Sequence, residues 1–235
     1  MKIKNIFIDL DGTLLNDNNE VIEDLKKVIR NNSSIIGLAT NRSYDFCKPI
    51  IDDLNLTGLN ILEDGAIIKE NGENIAYTSP KNVWVARTEI FEYLDRMGVN
   101  YNQTRKEYLL SIHIRDENYK KNSKLMKKLN EPIMKILNKH DLEGYDTGMF
   151  NFVIKEKHIS KGNSLELLED IWKIRLDQTL TIGDGINDIL MLSNSKYSAT
   201  VNNGIKQVKN IVDFVSKYDR GEGVLDILTN YAMLK

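Results

Sequence analysis

A single cysteine, Cys47, is present among 235 residues, which excludes an intrachain disulfide. Next to Phe46 in a helical pattern, that thiol reads as a packed apolar group rather than a nucleophile. No apolar run approaches the ~20 residues a membrane-spanning helix needs. The N-terminus lacks a basic segment leading into a long apolar stretch and a small-residue cleavage site, so a cytoplasmic protein is expected. Basic charge is not clustered: 32 Lys and Arg are spread among 34 Asp and Glu, for a formal net charge of -2. A nucleic-acid footprint needs such clustering, so neither nucleic acid nor a membrane is expected as a partner. Internal repeats and low-complexity tracts are also missing. What is present is ordinary globular composition, 41% hydrophobic and 28% charged, enough for one large domain or two small ones.

The most informative stretch is Ile6-Phe7-Ile8-Asp9-Leu10-Asp11-Gly12-Thr13. Its apolar start reads as a fully buried strand, and it ends in two aspartates. In an open parallel sheet, ligands sit beyond the carboxyl ends of the strands, which puts Asp9 and Asp11 at the floor of a crevice. Two close, desolvated carboxylates repel unless a cation joins them or one carries a proton. An Asp-rich turn with no ligand is the alternative.

Further segments repeat this design. Val21 to Arg30 has helical spacing, and Ile35 to Ala39 is an apolar strand ending at Thr40-Asn41-Arg42-Ser43. Ser43 can cap a helix running to about Leu54, and free backbone N–H groups there favour an anion. Thr40 is placed to hydrogen-bond a phosphate oxygen or is an incidental strand-end threonine. Leu59 to Leu62 gives a third strand, and Ile67-Ile68 and Ile75 to Tyr77 flank an Asn71-Gly72 hairpin turn. From about Pro80 the rhythm changes. Helices are expected over Val83–Met97 and Tyr119–Leu129, with another opened by Pro132, and strands over Tyr108–Ile114 and Phe150–Ile154. This block reads as an inserted α+β domain. Lys161-Gly162 then precedes a helix from Ser164 to Trp172, and Thr179 to Ile182 is a buried strand ending at Gly183-Asp184-Gly185-Ile186-Asn187-Asp188. If Ile186 onward is helical, Asp188 faces back toward Asp184. Strands at Tyr197–Val201 and Phe214-Val215, and helices near Ile205–Asn210 and Gly223–Ala232, complete the pattern. The fold class is therefore α/β, a Rossmann-like parallel sheet with right-handed crossovers. Its core is expected from residues 1–80 and 156–235, around a smaller α+β domain at 81–155.

The residue types suit phosphoryl transfer. Mg²⁺ takes hard oxygen ligands and is commonly held by one or two carboxylates plus substrate phosphate. Asp9, Asp184 and a backbone carbonyl suffice, with Asp188 binding directly or through water. An aspartate can act as nucleophile, and Asp11 can protonate the leaving oxygen and then deprotonate water. Lys161 would offset charge on the phosphoryl oxygens; taken alone it reads as a solvated surface lysine.

Taken together, Asp9-Leu10-Asp11-Gly12-Thr13, then Thr40, then Lys161 and finally Gly183-Asp184-Gly185-Ile186-Asn187-Asp188 resemble the four ordered motifs of the haloacid dehalogenase (HAD) superfamily. The position and α+β character of the insert are similar to the type IIB, Cof-like group. Its short length is closer to the archaeal-type phosphoglycolate phosphatases and sucrose-phosphatase-like members. The resemblance implies that Asp9 is nucleophile and Mg²⁺ ligand, and that Asp11 is acid/base and a ligand through its carbonyl. It implies that Asp184 and Asp188 complete the metal site, and that Thr40, Asn41, Lys161 and Asn187 meet the phosphorylated substrate. Two departures are Asn41, where many relatives have Gly, and Glu63-Asp64-Gly65-Ala66, where relatives often carry Asn-Gly. The implied function is Mg²⁺-dependent hydrolysis of a small phosphorylated metabolite, a sugar phosphate or a phosphoglycolate-like ester, through an aspartyl-phosphate. A phosphomannomutase-like phosphotransferase is the alternative, since the chemistry begins identically and differs in the acceptor. A P-type pump fragment is disfavoured by Asp11, where those pumps carry Thr. A non-catalytic protein on the same fold is disfavoured by the complete set of catalytic residue types.

Overall fold

A computed structural model of the chain describes residues 2–104, 106–146 and 151–232. They form two compact units, Met1–Tyr77 with Ser160–Lys235, and Thr78–Ile159. The first unit starts with β1 (Asn5–Ile8), α1 (Glu23–Arg30), β2 (Ile35–Leu38) and α2 (Tyr44–Leu54). Ser43 occupies the position before α2 but makes no side-chain cap bond, contrary to expectation. β3 (Asn60–Leu62) does not extend the core sheet as a full parallel strand. It pairs antiparallel with β4 (Ile67–Glu70), which pairs with β5 (Glu73–Tyr77), and it meets β2 through a single parallel bridge, Ala39 to Ile61, and the Leu38 N–H, which donates to Asn60 Oδ1 at 3.0 Å. The β4–β5 turn is Asn71-Gly72 as expected, both residues at positive φ (49° and 85°), which these two types tolerate best.

The second unit contains α3 (Lys81–Arg96), β6 (Tyr101–Thr104), β7 (Leu110–Ile114), α4 (Glu117–Lys120), α5 (Ser123–Lys139), β8 (Leu142–Asp146) and β9 (Asn151–Glu156). Its strands form an antiparallel sheet in the order β6-β7-β9-β8. Leu110, Ile112 and Ile114 alternate onto one face and pack under Val83, Ala86, Ile90 and Leu94 of α3 and Leu129, Ile133 and Leu137 of α5. This is the period-two against period-3.6 match that an α+β layer requires. Pro132 does not open a helix; it lies inside α5. A helical proline cannot bond the carbonyl four residues back, here Lys128, and that carbonyl accepts instead from the Tyr93 hydroxyl at 3.3 Å. Phe150, expected to start a strand, lies outside the described residues; β9 runs on from Asn151.

The first unit resumes with α6 (Lys161–Trp172), β10 (Thr179–Ile182), α7 (Ile189–Asn194), β11 (Tyr197–Thr200), α8 (Lys206–Lys209), β12 (Phe214–Val215) and α9 (Arg220–Asp226). The core sheet is wholly parallel, ordered β12-β11-β10-β1-β2. β1 lies between β10 and β2, and its Ile6, Phe7 and Ile8 are buried, each stabilising the fold by about 1.5–3 kcal/mol. Register then determines what the sheet delivers. Ile8 is level with Leu38 on one side and Ile182 on the other. Three chains therefore leave the sheet side by side, and the residues that follow them, Asp9, Thr40 and Asp184, emerge at one edge.

Candidate active site

Asp9 is held at the tip of β1 by its backbone N–H, which donates to Ile182 O at 2.9 Å. The chain then makes one wide turn over Leu10–Leu14, closed by Leu14 N–H to Asp9 O at 3.2 Å and Leu15 N–H to Leu10 O at 3.0 Å. The turn passes through Gly12 at φ +84°, where an added Cβ would lie 2.4 Å from Asp184 Oδ2. Glycine is needed there both for its φ and for the close approach. Beyond it, the Thr13 hydroxyl donates to Asp184 Oδ1 at 2.9 Å, and Asn203 Nδ2 donates to Gly12 O at 2.7 Å.

The segment after β10 folds as the sequence suggests. Ile186–Asp188 makes a tight helical turn continued by α7, and Asp188 Oδ2 accepts the N–H groups of Asp184 (3.0 Å) and Gly185 (2.9 Å). A Cβ on Gly183 would sit 2.5 Å from the Asp188 carboxyl carbon, so this loop too closes only over a glycine. Asp188 Oδ1 accepts from Lys161 Nζ at 2.7 Å, and Asp9 Oδ1 accepts from the same nitrogen at 2.6 Å. Lys161 lies in the first turn of α6, rather than ahead of it, and both it and Asp188 are 0% exposed.

One carboxylate oxygen from each of Asp9, Asp184 and Asp188 lies within 4.8 Å of the others. Three carboxylates against one ammonium leave two negative charges uncompensated, the charge of one divalent cation. All the donors are hard oxygens, the class Mg²⁺ selects. An octahedral Mg²⁺ spans at most about 4.2 Å between ligands, so the set fits with a small closure or one water between. The excess charge also shows in the titration of the groups. Burial, with Asp188 and Asp184 adding to it and Lys161 opposing, pushes the Asp9 carboxyl well above the usual carboxylate range. Burial and then Asp188 push Asp184 up to about 6, against the Thr13 hydrogen bond and Lys161. Burial alone would lower the Lys161 ammonium, but Asp188, Asp9 and Asp64 outweigh it and raise it.

Asp184 gives a pH prediction with a definite sign. An unfolded aspartate titrates near 3.9, so between that value and about 6 the metal-free folded protein binds the extra proton. Its stability therefore falls as pH rises through this window, by about 2–3 kcal/mol from this group, and the loss is complete above it. In EDTA, Asp184→Asn should melt higher than wild type at about pH 7.5 and no higher at about pH 4.5. A difference that is the same at both pH values would contradict this.

The other expected residues lie around the cluster. The Asp11 carboxylate, expected as acid/base, is held by Arg42, with Nε to Oδ2 at 2.8 Å and Nη2 to Oδ1 at 2.5 Å. Thr40 is buried at the same sheet edge, and its Oγ1 accepts the Arg42 N–H at 3.1 Å. Asn41 is half-buried between them. Asn187 turns its amide to Asp64, donating from Nδ2 to Oδ1 at 3.2 Å, so the acidic Asp64 that replaces the more usual asparagine is already engaged. Three contacts at the site were not expected from sequence. Thr13 was visible within the first motif but had been given no role. Asn203 and the Arg42 clamp had no local signal, since their partners lie 191 and 31 residues away.

The aspartate cluster thus lies at the carboxyl edge of a wholly parallel sheet, where open α/β sheets bind their ligands. The chain belongs to the haloacid dehalogenase-like hydrolase family, whose sequence profile aligns to residues 6–143 and 120–228. It is 28% identical over 239 residues to a phosphoglycolate phosphatase of Methanosarcina acetivorans, covering 97% of this chain and 96% of that one. It is 22% identical over 249 residues to the 5-amino-6-(5-phospho-D-ribitylamino)uracil phosphatase YcsE of Bacillus subtilis, covering 98% and 96%. Among solved structures, protein 0175 of Thermoplasma acidophilum superposes over the full length of both chains with TM-score 0.79 at 19% identity, and TM0651 of Thermotoga maritima over 97% of both at 0.72 and 20%. No helix among the described residues is long and apolar enough to cross a membrane.

Proposed function

We propose that the chain is a Mg²⁺-dependent phosphatase that hydrolyses a small phosphorylated metabolite through an aspartyl-phosphate on Asp9. The observation that carries this reading is the state of the Asp9 carboxylate. Its Oδ1 is fixed by Lys161, while Oδ2 accepts no hydrogen bond from the described residues. One oxygen is thus anchored and the other is left without a hydrogen bond from the described residues, as a positioned nucleophile requires. The names of the relatives support the same activity.

The divalent ion, held by Asp9, Asp184 and Asp188 with the Asp11 carbonyl, would neutralise charge on the phosphoryl oxygens and keep Asp9 ionised. Asp9 Oδ2 attacks phosphorus as the ester P–O bond breaks, and Asp11, having taken a proton from solvent on an oxygen released from the Arg42 fork, gives that proton to the departing oxygen. Asp11 then takes a proton from water as the water oxygen attacks phosphorus, and the Asp9–phosphorus linkage breaks to release phosphate. Thr40 and Asn41, at the neighbouring strand end, and Asn187, in the loop after β10, contact the phosphoryl group. Lys161 fixes Asp9 and Asp188 at the distance the reaction needs. Asp188 in turn holds the Gly183–Gly185 loop that carries Asp184.

The test is phosphate release by purified protein from p-nitrophenyl phosphate and from a panel of phosphoglycolate and sugar phosphates. Release should require Mg²⁺ and stop with EDTA. No turnover of any of these with Mg²⁺ present would defeat the reading. Exchange between sugar-phosphate isomers without net phosphate release would favour the mutase instead.

A further inference from the structure

The Arg42–Asp11 pair has more structure around it than an ordinary surface ion pair. Nε and Nη2 of Arg42 grip the two oxygens of Asp11 in a side-on fork. The guanidinium carbon lies 4.3 Å from the centroid of the Phe46 ring, within cation–π range. The Arg42 backbone is tied at both ends as well, its N–H to Thr40 Oγ1 at 3.1 Å and its carbonyl to the Glu63 N–H at 3.1 Å. A guanidinium presents five donors in a rigid arrangement, with a second fork end-on between Nη1 and Nη2. That end-on fork meets no acceptor among the described residues, and the side chains of Arg42 and Asp11 are each 37% exposed.

We propose that the end-on fork of Arg42 binds a carboxylate on the leaving group of the substrate, so that the enzyme selects phosphate monoesters of small hydroxy acids. The proposal rests on the phosphatase reading, because that reading is what turns Asp11 toward a leaving group. The two forks of one guanidinium then share the work. One aims the Asp11 carboxyl, and the other sets the leaving group beside it, so the ester oxygen lies within reach of the proton it must receive. Planar two-point recognition of a carboxylate is what Arg supplies and Lys does not. A hydroxyl-only sugar leaving group would leave this fork without an anionic partner.

The experiment compares phosphoglycolate with its amide, which matches it closely in shape and lacks the charge. Wild-type enzyme with Mg²⁺ should favour the acid in kcat/KM by at least about tenfold, chiefly through KM. Arg42→Gln should reduce that preference to within about twofold, and Arg42→Lys, which keeps the charge without the fork, should fall between. Poorer alignment of Asp11 lowers both rates alike and cancels in the ratio. A preference absent in wild type, or unchanged in Arg42→Gln, overturns the proposal. So does a wild-type enzyme that cleaves p-nitrophenyl phosphate but neither test ester. A protein that cleaves none of the three fails the phosphatase reading itself, and the proposal falls with it.

Discussion

Asp9→Asn should lower phosphate release by a factor on the order of 10⁴–10⁶ and yet raise the melting temperature of the protein in EDTA. The first effect follows from removing the attacking atom. An amide oxygen is a poor nucleophile, and the remaining groups act on a reaction that no longer has a first step. The second follows from the charge count at the strand ends. Metal-free, the cluster has three carboxylates and one ammonium, and the Asp9 carboxyl is pushed up chiefly by its own burial. Asparagine is nearly isosteric, keeps an oxygen for Lys161, and takes one charge out of a desolvated site. Activity and stability therefore move in opposite directions, and added Mg²⁺ should stabilise the variant less than wild type. Phosphate release assays and thermal unfolding with EDTA or Mg²⁺ check all three. A fully active variant would exclude Asp9 as nucleophile. A variant that is inactive because it is unfolded would show a lowered melting temperature, the opposite of the expected shift.

The parts of this site legible in the sequence are those carried by strand ends. β10 begins and ends where the sequence places the strand, at Thr179 and Ile182. Asp184 and Asp188 follow from it, because a buried strand that stops at Gly-Asp-Gly delivers the next polar groups to the carboxyl edge of the sheet, where ligands sit. Asp9 follows from β1 by the same argument, and parallel register brings the two tips together. Less legible were features determined by distant partners. The sequence of β6, Tyr-Asn-Gln-Thr, has no apolar alternation and was missed; it is paired only with β7 at the sheet edge. β8, at the opposite edge of the described sheet, pairs with β9 alone and left no clearer pattern. Pro132 gave a correct signal about its own missing N–H and a misleading one about the helix, because Tyr93 serves the freed carbonyl. Arg42 carries no local signal of its partner, since Asp11 lies 31 residues away in the chain.

Lys161→Met should be the most destabilising single change at the site, by about 3–5 kcal/mol in EDTA. The methionine fills most of the lysine's volume, so little of the loss comes from packing. It comes from Asp9 and Asp188, whose contacts to the ammonium at 2.6 Å and 2.7 Å disappear while their burial does not. Asp188 is the more exposed to this loss in energetic terms, being 0% accessible against 5% for Asp9. For a chain of this length each kcal/mol moves the melting temperature by about 2–4 °C, so the fall should be at least about 6 °C. Two partial rescues separate charge from shape. Adding Asp188→Asn to Lys161→Met should recover stability, making the double variant less unstable than the sum of the singles. Mg²⁺ at high concentration should also recover part of it, because a divalent ion supplies to Asp9 and Asp188 the positive charge that the ammonium had provided. Additive losses in the double variant, or a single variant within about 1 kcal/mol of wild type, would mean that Lys161 is not what holds these carboxylates in place. The same ammonium also spans α6, β1 and the loop after β10, so its removal should lower activity even where Mg²⁺ restores the fold: the nucleophile would be present but no longer anchored through Oδ1.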